Sequence, residues 1–283
     1  MKHLSKTKKI LIGIALILLL LIAGGSMYLY PAYTFFFQTE TQILDKDLTL
    51  VLGGGGNSGI LVTDKVVVVI DTKMGGDAES LFKLAREKAA GKTIFVINTH
   101  YHGDHVNGNH FYKGSRIYIG NYDRAFLQKE VDPDDMPTDF VKDSLVLDLG
   151  NETIMLYDLG QAHTFHDVVV YLKNRKVLFS GDLIFHHINP FLKNESGADV
   201  DKWMAALNVI LHKFEPEKVV PGHGTTGGKE MVQSMVDYFA DMKVAAKDPA
   251  RASELKAKYK DWVELPMMTS SQVTIDYIQK AGH

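Results

Sequence analysis

Beyond Gln38, short apolar runs alternate with turn residues. Residues 48–52, 60–62 and 66–70 are rich in Val, Ile and Leu, which predicts three strands. Four consecutive glycines, residues 53–56, separate the first two of these strands. The glycines lack the Lys-Ser/Thr of a phosphate-binding loop and do not open a helix. They therefore indicate a hairpin, or a loop that lets the backbone approach a site.

Helical and strand patterns then alternate along the rest of the chain. Helices are predicted over residues 77–90 (with Asp77 as its cap), 122–130, 199–214, 228–246 and 249–261. Strands are predicted over residues 93–98, 116–119, 144–149, 153–159, 168–172, 176–180 and 218–220. Residues 131–139, with their prolines and aspartates, indicate an exposed loop. This alternation predicts an α/β fold.

The N-terminus has a different pattern. A lysine-rich flank precedes residues 10–30, a run without any charge. The run is long enough to cross a bilayer, which takes about 20 residues. The basic flank predicts a cytoplasmic N-terminus and an extracytoplasmic domain. The alternative is a signal peptide that is cleaved near the small residues 24–26, which would give a secreted protein, but no clear A-x-A site is present.

These patterns divide the chain into three parts. Residues 1–38 would form the basic flank, the membrane anchor and a juxtamembrane segment. Residues 39–246 would form the α/β domain, and residues 247–283 a peripheral helical tail.

Composition narrows the class of protein. The chain has 283 residues, 46% of them hydrophobic and 23% charged, which is typical of a globular protein. A net charge of -3 argues against a nucleic-acid partner. The sequence contains no cysteine, so any metal site must use His, Asp or Glu.

The segment THYHGDHVNGN carries the densest chemistry. Within six positions it places His100, His102, Asp104 and His105. Imidazole and carboxylate at this density indicate a metal site. Because alternate side chains of an extended segment point the same way, the first two histidines can share one ion, while the turn at Gly103 directs the last two residues towards a second. These ligands suit zinc and would also accept iron or manganese.

Three further predicted strands are followed by a residue of a metal-ligand type. His163 lies in GQAHTFHD, Asp182 follows VLFSG, and His223 lies in PGHG. Ligands that are grouped beyond strand ends are typical of an α/β active site.

This ordered set, HxHxDH followed by single His, Asp and His, resembles the metallo-β-lactamase fold superfamily over about residues 45–245. The resemblance implies a four-layer αβ/βα sandwich with the site along one edge of its two sheets. The ligand sets that it implies are His100, His102 and His163 for a first metal, Asp104, His105 and His223 for a second, and Asp182 bridging both. Asp71 would brace the histidine segment through hydrogen bonds without binding metal.

Asp182 narrows the activity that the resemblance implies. The β-lactam-hydrolysing members that this chain resembles generally carry Cys or Ser there, whereas thioesterase, lactonase and phosphodiesterase-like members carry Asp. A β-lactamase is therefore not expected. The motifs GQAHT and VLFSGDLIF also resemble hydrolases of the glyoxalase II type, but no glutathione-binding region is recognisable after His223.

We therefore expect a membrane-anchored metallo-hydrolase of a small molecule. Two zinc ions about 3.5–4 Å apart would share a water with a pKa near 7, and the bridging hydroxide would attack an ester, thioester, lactone or related bond. Asp104 would be the catalytic residue, because it could orient the hydroxide and take up a proton.

Two alternatives use the same residues. A persulfide dioxygenase would bind one iron through His100, His163 and Asp182, but the second ligand set through His223 favours two metals. A non-catalytic metal-binding module is less expected, because open clusters with Asp are typical of catalysis. His186 and His187 are candidates for substrate contacts, since they follow the strand that ends at Asp182. The sequence identifies neither the substrate nor the oligomeric state.

Overall fold

The computed structural model describes residues 6–282, with side chains from residue 22 onward. Its first element is helix α1 (Lys6–Phe37). Across the helices of this described part, none combines the length and the apolar character needed to cross a membrane. The greater part of the predicted membrane-spanning run, residues 10–30, and most of its basic flank lie outside the described side chains.

The first sheet has seven strands that follow one another in chain order. They are β1 (Thr39–Ile43), β2 (Leu48–Gly53), β3 (Ser58–Val62), β4 (Val67–Ile70), β5 (Ile94–Ile97), β6 (Ile117–Gly120) and β7 (Asp139–Val141). Pairing is antiparallel from β1 to β4 and parallel from β4 to β7. Every residue of β4 is buried, as expected for a strand with layers on both faces.

The second sheet has five strands. In spatial order they are β12 (Lys218–Val220), β11 (Val177–Phe179), β10 (Val168–Leu172), β9 (Thr153–Asp158) and β8 (Ser144–Asp148). β11 and β12 are parallel and the other pairs are antiparallel. Strands β9, β11 and β12 therefore run in the same direction and end at the same edge of the sheet.

In the described part of the chain, seven further helices connect or cover the sheets. They are α2 (Gly75–Ala89), α3 (Gly103–Val106), α4 (Arg124–Glu130), α5 (Val200–Lys213), α6 (Glu230–Lys247), α7 (Pro249–Lys258) and α8 (Ser271–Ala281). Short 3₁₀ turns occupy Asn109–Tyr112 and Gly181–Leu183. The side chain of Asp123 caps α4 and that of Asp199 caps α5, each by accepting a backbone hydrogen bond from the first turn.

Apolar clusters define four layers. Ile70 of the first sheet and Leu156 and Phe179 of the second belong to the cluster between the sheets. Leu81 of α2 packs on the outer face of the first sheet. Trp203 of α5 lies in the cluster that covers the outer face of the second sheet. The α/β sandwich expected from the sequence is thus confirmed.

Sequence patterns located most elements but not all. Every predicted strand is present, with ends within two residues of the prediction. Strands β1 and β7 and helix α8 were missed, because β1 is polar and largely exposed and β7 has only three residues. Helix α2 begins at Gly75, so Asp77 lies in its first turn and is not its cap.

The predicted peripheral tail is part of the core. Leu255 of α7 and Ile275 and Ile278 of α8 are buried in the cluster around Trp203. The sequence of α7 is rich in charge, and Leu255 is its single buried residue. The sequence pattern therefore did not predict that this helix packs on the core. The boundary predicted at residue 246 therefore does not separate the tail from the core.

We expect Ile278→Ala to lower the free energy of unfolding by about 2–5 kcal/mol, because a fully buried side chain leaves a cavity. Val273→Ala, at an exposed position of the same helix, should change it by about 0.5 kcal/mol or less. Urea unfolding followed by tryptophan fluorescence measures both variants. Equal small effects would show that α8 does not belong to the cooperative core.

Candidate metal centre

Strand ends place seven ligand-type side chains at one edge of the two sheets. The first cluster consists of His100, His102, His163 and Asp182, and the second of Asp104, His105 and His223. Within each cluster, every residue offers a ligand atom within 4.8 Å of the ligand atoms of the others. These are the two sets that the sequence resemblance implies, with Asp182 grouped in the first.

Asp182 lies between the clusters. Its Oδ2 is 3.3 Å from Nε2 of His163 and 3.2 Å from Nε2 of His223. Its Oδ1 is 3.1 Å from Nε2 of His105. The absence of a side chain at Gly222 leaves room for the Asp182 carboxylate, because a Cβ on Gly222 would overlap Oδ1 of Asp182. One carboxylate therefore faces imidazoles of both clusters, which is the geometry of a bridging ligand.

Unpaired nitrogen atoms test whether these residues fit a metal. Within the described part of the chain, Nε2 of His100 and Nε2 of His105 are buried without a hydrogen-bond partner. Buried polar atoms almost always have a partner. His105 donates from Nδ1 to Oδ2 of Asp71 at 2.8 Å, which directs Nε2 into the cluster as the candidate ligand atom. The donor set therefore fits a metal ion.

His102 presents the opposite ring nitrogen to the cluster. Its Nδ1 is 3.0 Å from Nε2 of His163, and its Nε2 is 3.1 Å from Oγ of Ser196. Burial lowers the pKa of His102, and likewise that of His100, well below the usual value. Both imidazoles are therefore neutral at physiological pH, which is the form that binds metal.

Asp182 and His105 form the charged centre of the site. Although burial raises the pKa of Asp182, the imidazoles of His223 and His105 bring it well below its usual value. Burial lowers the pKa of His105, but the carboxylates of Asp71, Asp182 and Asp104 outweigh this and hold it well above the usual value. A metal ion that binds Nε2 of His105 therefore has to displace a proton.

Asp71 holds the histidine segment in place. It accepts hydrogen bonds from the backbone N–H of Thr99 at 2.7 Å, from the Thr99 hydroxyl at 2.8 Å and from His105 at 2.8 Å. The backbone of Asp71 is in the left-handed region, with φ of 56°. Such a conformation costs energy and persists only where the surroundings require it.

The glycine run, residues 53–56, turns between β2 and β3 and packs against the candidate ligands. A Cβ on Gly55 would lie 2.7 Å from Cβ of Asp104, and one on Gly56 would lie 2.6 Å from Nε2 of His105. The carbonyl of Gly55 also accepts a hydrogen bond from Nδ1 of His223 at 3.1 Å. Only glycine allows the backbone to come this close.

Lys73 holds this turn through hydrogen bonds to its backbone. The sequence did not predict this role. Nζ of Lys73 donates to the carbonyl oxygens of Gly53 at 2.5 Å and Gly56 at 2.6 Å, and its side chain is fully buried. Burial lowers the pKa of Lys73 to about 8, while Asp77 and Asp104 oppose the shift. A single lysine after a strand gives no sequence signal of burial, because lysine is usually exposed.

A cavity of about 340 Å³ opens beside the two clusters. Its apolar lining consists of Phe35, Phe36, Phe185, Phe191, Leu265 and Met268. Its polar lining includes Tyr101, Glu130, Lys193 and Ser196 in addition to the candidate ligands His102, Asp104, Asp182 and His223. Phe35 and Phe36 were not predicted as lining residues, because residues up to 38 were assigned to the membrane anchor and the juxtamembrane segment.

The substrate contacts predicted for His186 and His187 stay a prediction. Among the described residues, neither histidine lines the cavity. Nδ1 of His186 lies 2.8 Å from the carbonyl oxygen of Thr225, so this ring is engaged with the neighbouring loop. The ring of His187 packs 6.2 Å from that of Trp262.

A four-layer α/β sandwich with His and Asp side chains that converge at its strand ends is typical of a class of metal-dependent enzymes. The sequence profile of the metallo-beta-lactamase superfamily matches residues 51–223. The chain thus belongs to the metallo-beta-lactamase superfamily and is a metal-dependent hydrolase.

Individual relatives agree with this assignment. The chain is 28% identical over 205 residues to the metallo-beta-lactamase type 2 of Bacteroides fragilis, covering 68% of this chain and 82% of that protein. It is 27% identical over 220 residues to the metallo-beta-lactamase type 2 of Elizabethkingia meningoseptica, covering 76% and 82%. The solved metallo-beta-lactamase from Pontibacter korlensis shares the fold, with a TM-score of 0.64 at 21% identity, covering 72% of this chain and 99% of that one.

Lys73 should make stability depend on pH. Because its pKa of about 8 in the folded protein lies below the usual 10.5, the unfolded chain binds this proton more tightly between these values. The free energy of unfolding should therefore rise with pH across this window, by up to about 3 kcal/mol. Lys73→Met removes this contribution.

Urea unfolding between pH 8 and pH 10 tests this prediction. The free energy of unfolding of the wild type should rise relative to that of Lys73→Met. Lys46→Met is the matched control, because Lys46 is exposed and its curve should run parallel to that of the wild type. Parallel curves for all three proteins would refute the prediction.

Proposed function

We propose that this protein is a membrane-anchored binuclear zinc hydrolase that cleaves an ester, thioester or lactone. The observation that carries this proposal is the position of Asp182 between the two ligand clusters. Its Oδ2 lies 3.3 Å from Nε2 of His163, in the first cluster, and 3.2 Å from Nε2 of His223, in the second. Its Oδ1 lies 3.1 Å from Nε2 of His105, also in the second cluster. A carboxylate between two sets of imidazoles is suited to holding two cations close together.

Bound zinc would supply a nucleophile at neutral pH by lowering the pKa of water and would polarise the carbonyl oxygen. The chain would contribute positioning and proton transfer. Oδ2 of Asp104 lies 3.5 Å from Nε2 of His223 and 3.7 Å from Nε2 of His105. Asp104 also lines the cavity, so its carboxylate can orient the attacking water and accept its proton.

β-Lactam hydrolysis is the second candidate activity. The names of the relatives favour it, since both curated relatives are metallo-beta-lactamases. The carboxylate of Asp182 favours the ester and lactone reaction instead, because the β-lactam-hydrolysing members that the sequence resembles generally carry Cys or Ser there. A substrate panel therefore has to contain a chromogenic cephalosporin beside esters, thioesters, lactones and phosphodiesters.

The proposed anchor rests on the sequence. Residues 10–30 carry no charge and follow a lysine-rich flank, a pattern typical of a single membrane-spanning helix with a cytoplasmic N-terminus. The hydrolase domain would then lie on the extracytoplasmic side. Cleavage near residues 24–26 would instead release it as a secreted protein, and the N-terminal sequence of the purified protein distinguishes the two cases.

Metal content tests the binuclear centre directly. The full chain, purified without added metal, should contain close to two zinc ions by plasma emission spectrometry. His223→Ala should lose about one of them, whereas His212→Ala should retain both, because His212 is exposed on α5 away from the clusters. One iron per chain would instead support the persulfide dioxygenase, and no bound metal in the wild type would refute both enzymes.

Asp104→Asn should lower kcat by about 100-fold or more on any substrate that the panel identifies, because the amide cannot accept the proton. The thermal unfolding midpoint should stay close to that of the wild type, since Asp104 is partly exposed. Asp134→Asn, at an exposed position, serves as the control. Unaltered turnover in Asp104→Asn would remove this residue from the mechanism.

A further inference from the structure

The end of helix α1 is fixed to the candidate metal centre. The backbone N–H of Gly55 donates to the carbonyl oxygen of Phe35 at 3.0 Å, and that of Gly54 donates to Gln38 at 2.8 Å. The ring of Phe35 stacks on the imidazole of His223, with centroids 4.5 Å apart. The glycine run thus lies between the candidate ligands on one side and the end of α1 on the other.

This attachment places two aromatic side chains of α1 in the cavity. Phe35 and Phe36 both line it, and their rings contact each other edge to face at 4.8 Å. Phe37, the next residue, is 67% exposed and is not part of the lining. The helix therefore contributes one defined face to the cavity.

Apolar side chains from distant parts of the chain complete the wall. Phe191 belongs to the loop before α5, and Leu265 and Met268 belong to the segment before α8. Apart from the candidate metal ligands, the charged lining residues have opposite signs, since Lys193 and Glu130 both line the cavity. No net charge is selected by this pair, so apolar shape is the main selective property of the wall.

We propose that this wall binds an apolar acyl group, so that the preferred substrate is an ester, thioester or lactone with a medium-length chain, and that Phe36 sets this preference. The inference rests on the hydrolase function proposed above and adds the substrate class. The volume of about 340 Å³ is near the lower end for small-molecule sites, which suits a chain rather than a bulky ring system. Phe36 is the residue to test, because Phe35 contacts a candidate ligand.

The experiment compares p-nitrophenyl octanoate with p-nitrophenyl acetate on the full-length, zinc-loaded protein. Each methylene buried in the cavity is worth about fourfold in kcat/KM, so the octanoate to acetate ratio should be large in the wild type. Phe36→Ala should reduce this ratio by about tenfold, mainly through KM for the octanoate ester. Phe36→Leu should restore most of it, because leucine again covers the chain.

Phe37→Ala is the matched control. It removes an exposed aromatic ring from the same helix, one position further along, that does not line the cavity. Its octanoate to acetate ratio should equal that of the wild type. All four proteins are studied in the same detergent, so partition of the longer ester into micelles affects them equally.

Calorimetric titration with sodium octanoate and sodium acetate gives a readout that does not require turnover. Octanoate should bind the wild type and Phe37→Ala at least tenfold more tightly than it binds Phe36→Ala. Equal octanoate binding and equal ester ratios in Phe36→Ala and the wild type would overturn the acyl-group proposal. Octanoate binding that depends on Phe36, without hydrolysis of either ester, would support the acyl site and count against the hydrolase function.

Discussion

The pairing of buried charge at Asp182 is the interaction on which the site depends. A carboxylate taken out of water costs several kcal/mol unless nearby groups compensate it. Here the compensation comes from imidazoles of both clusters, and His105 extends it to Asp71 through a 2.8 Å hydrogen bond. Asp71 in turn fixes Thr99, at the start of the histidine segment. A change at any of these residues therefore removes a hydrogen bond or an ion pair on which its neighbours depend.

Close backbone approach is the second requirement. The loop at residues 53–56 has no side chains, so its peptide groups can contact Asp104, His105 and His223 directly. Lys73 satisfies two of the loop's carbonyl oxygens from the side away from solvent. The site is thus formed by side chains of the sheet edge and by backbone of one turn, and both must be in place for the ligand atoms to converge.

The sequence predicted the layers and the ligand-type residues because both leave local signals. Val168 to Leu172 is a short apolar run rich in β-branched residues, which favours a buried strand. The candidate ligands follow such runs within a few residues. The aromatic wall, Lys73 and the packing of Ile278 left no local signal, because each depends on contacts between distant segments. The apolar run of the N-terminus continues through Phe35 and Phe36, so local sequence could not show that these side chains line the cavity.

The link between α1 and the cavity has a kinetic consequence. Phe35 follows Tyr30 by five residues, which is about 8 Å along a helix. With α1 held in a bilayer, as proposed, the cavity stays within a short, fixed distance of the lipid surface. An apolar substrate partitions into that surface, so its concentration in the membrane, and not its concentration in bulk water, would set the rate at which the enzyme encounters it.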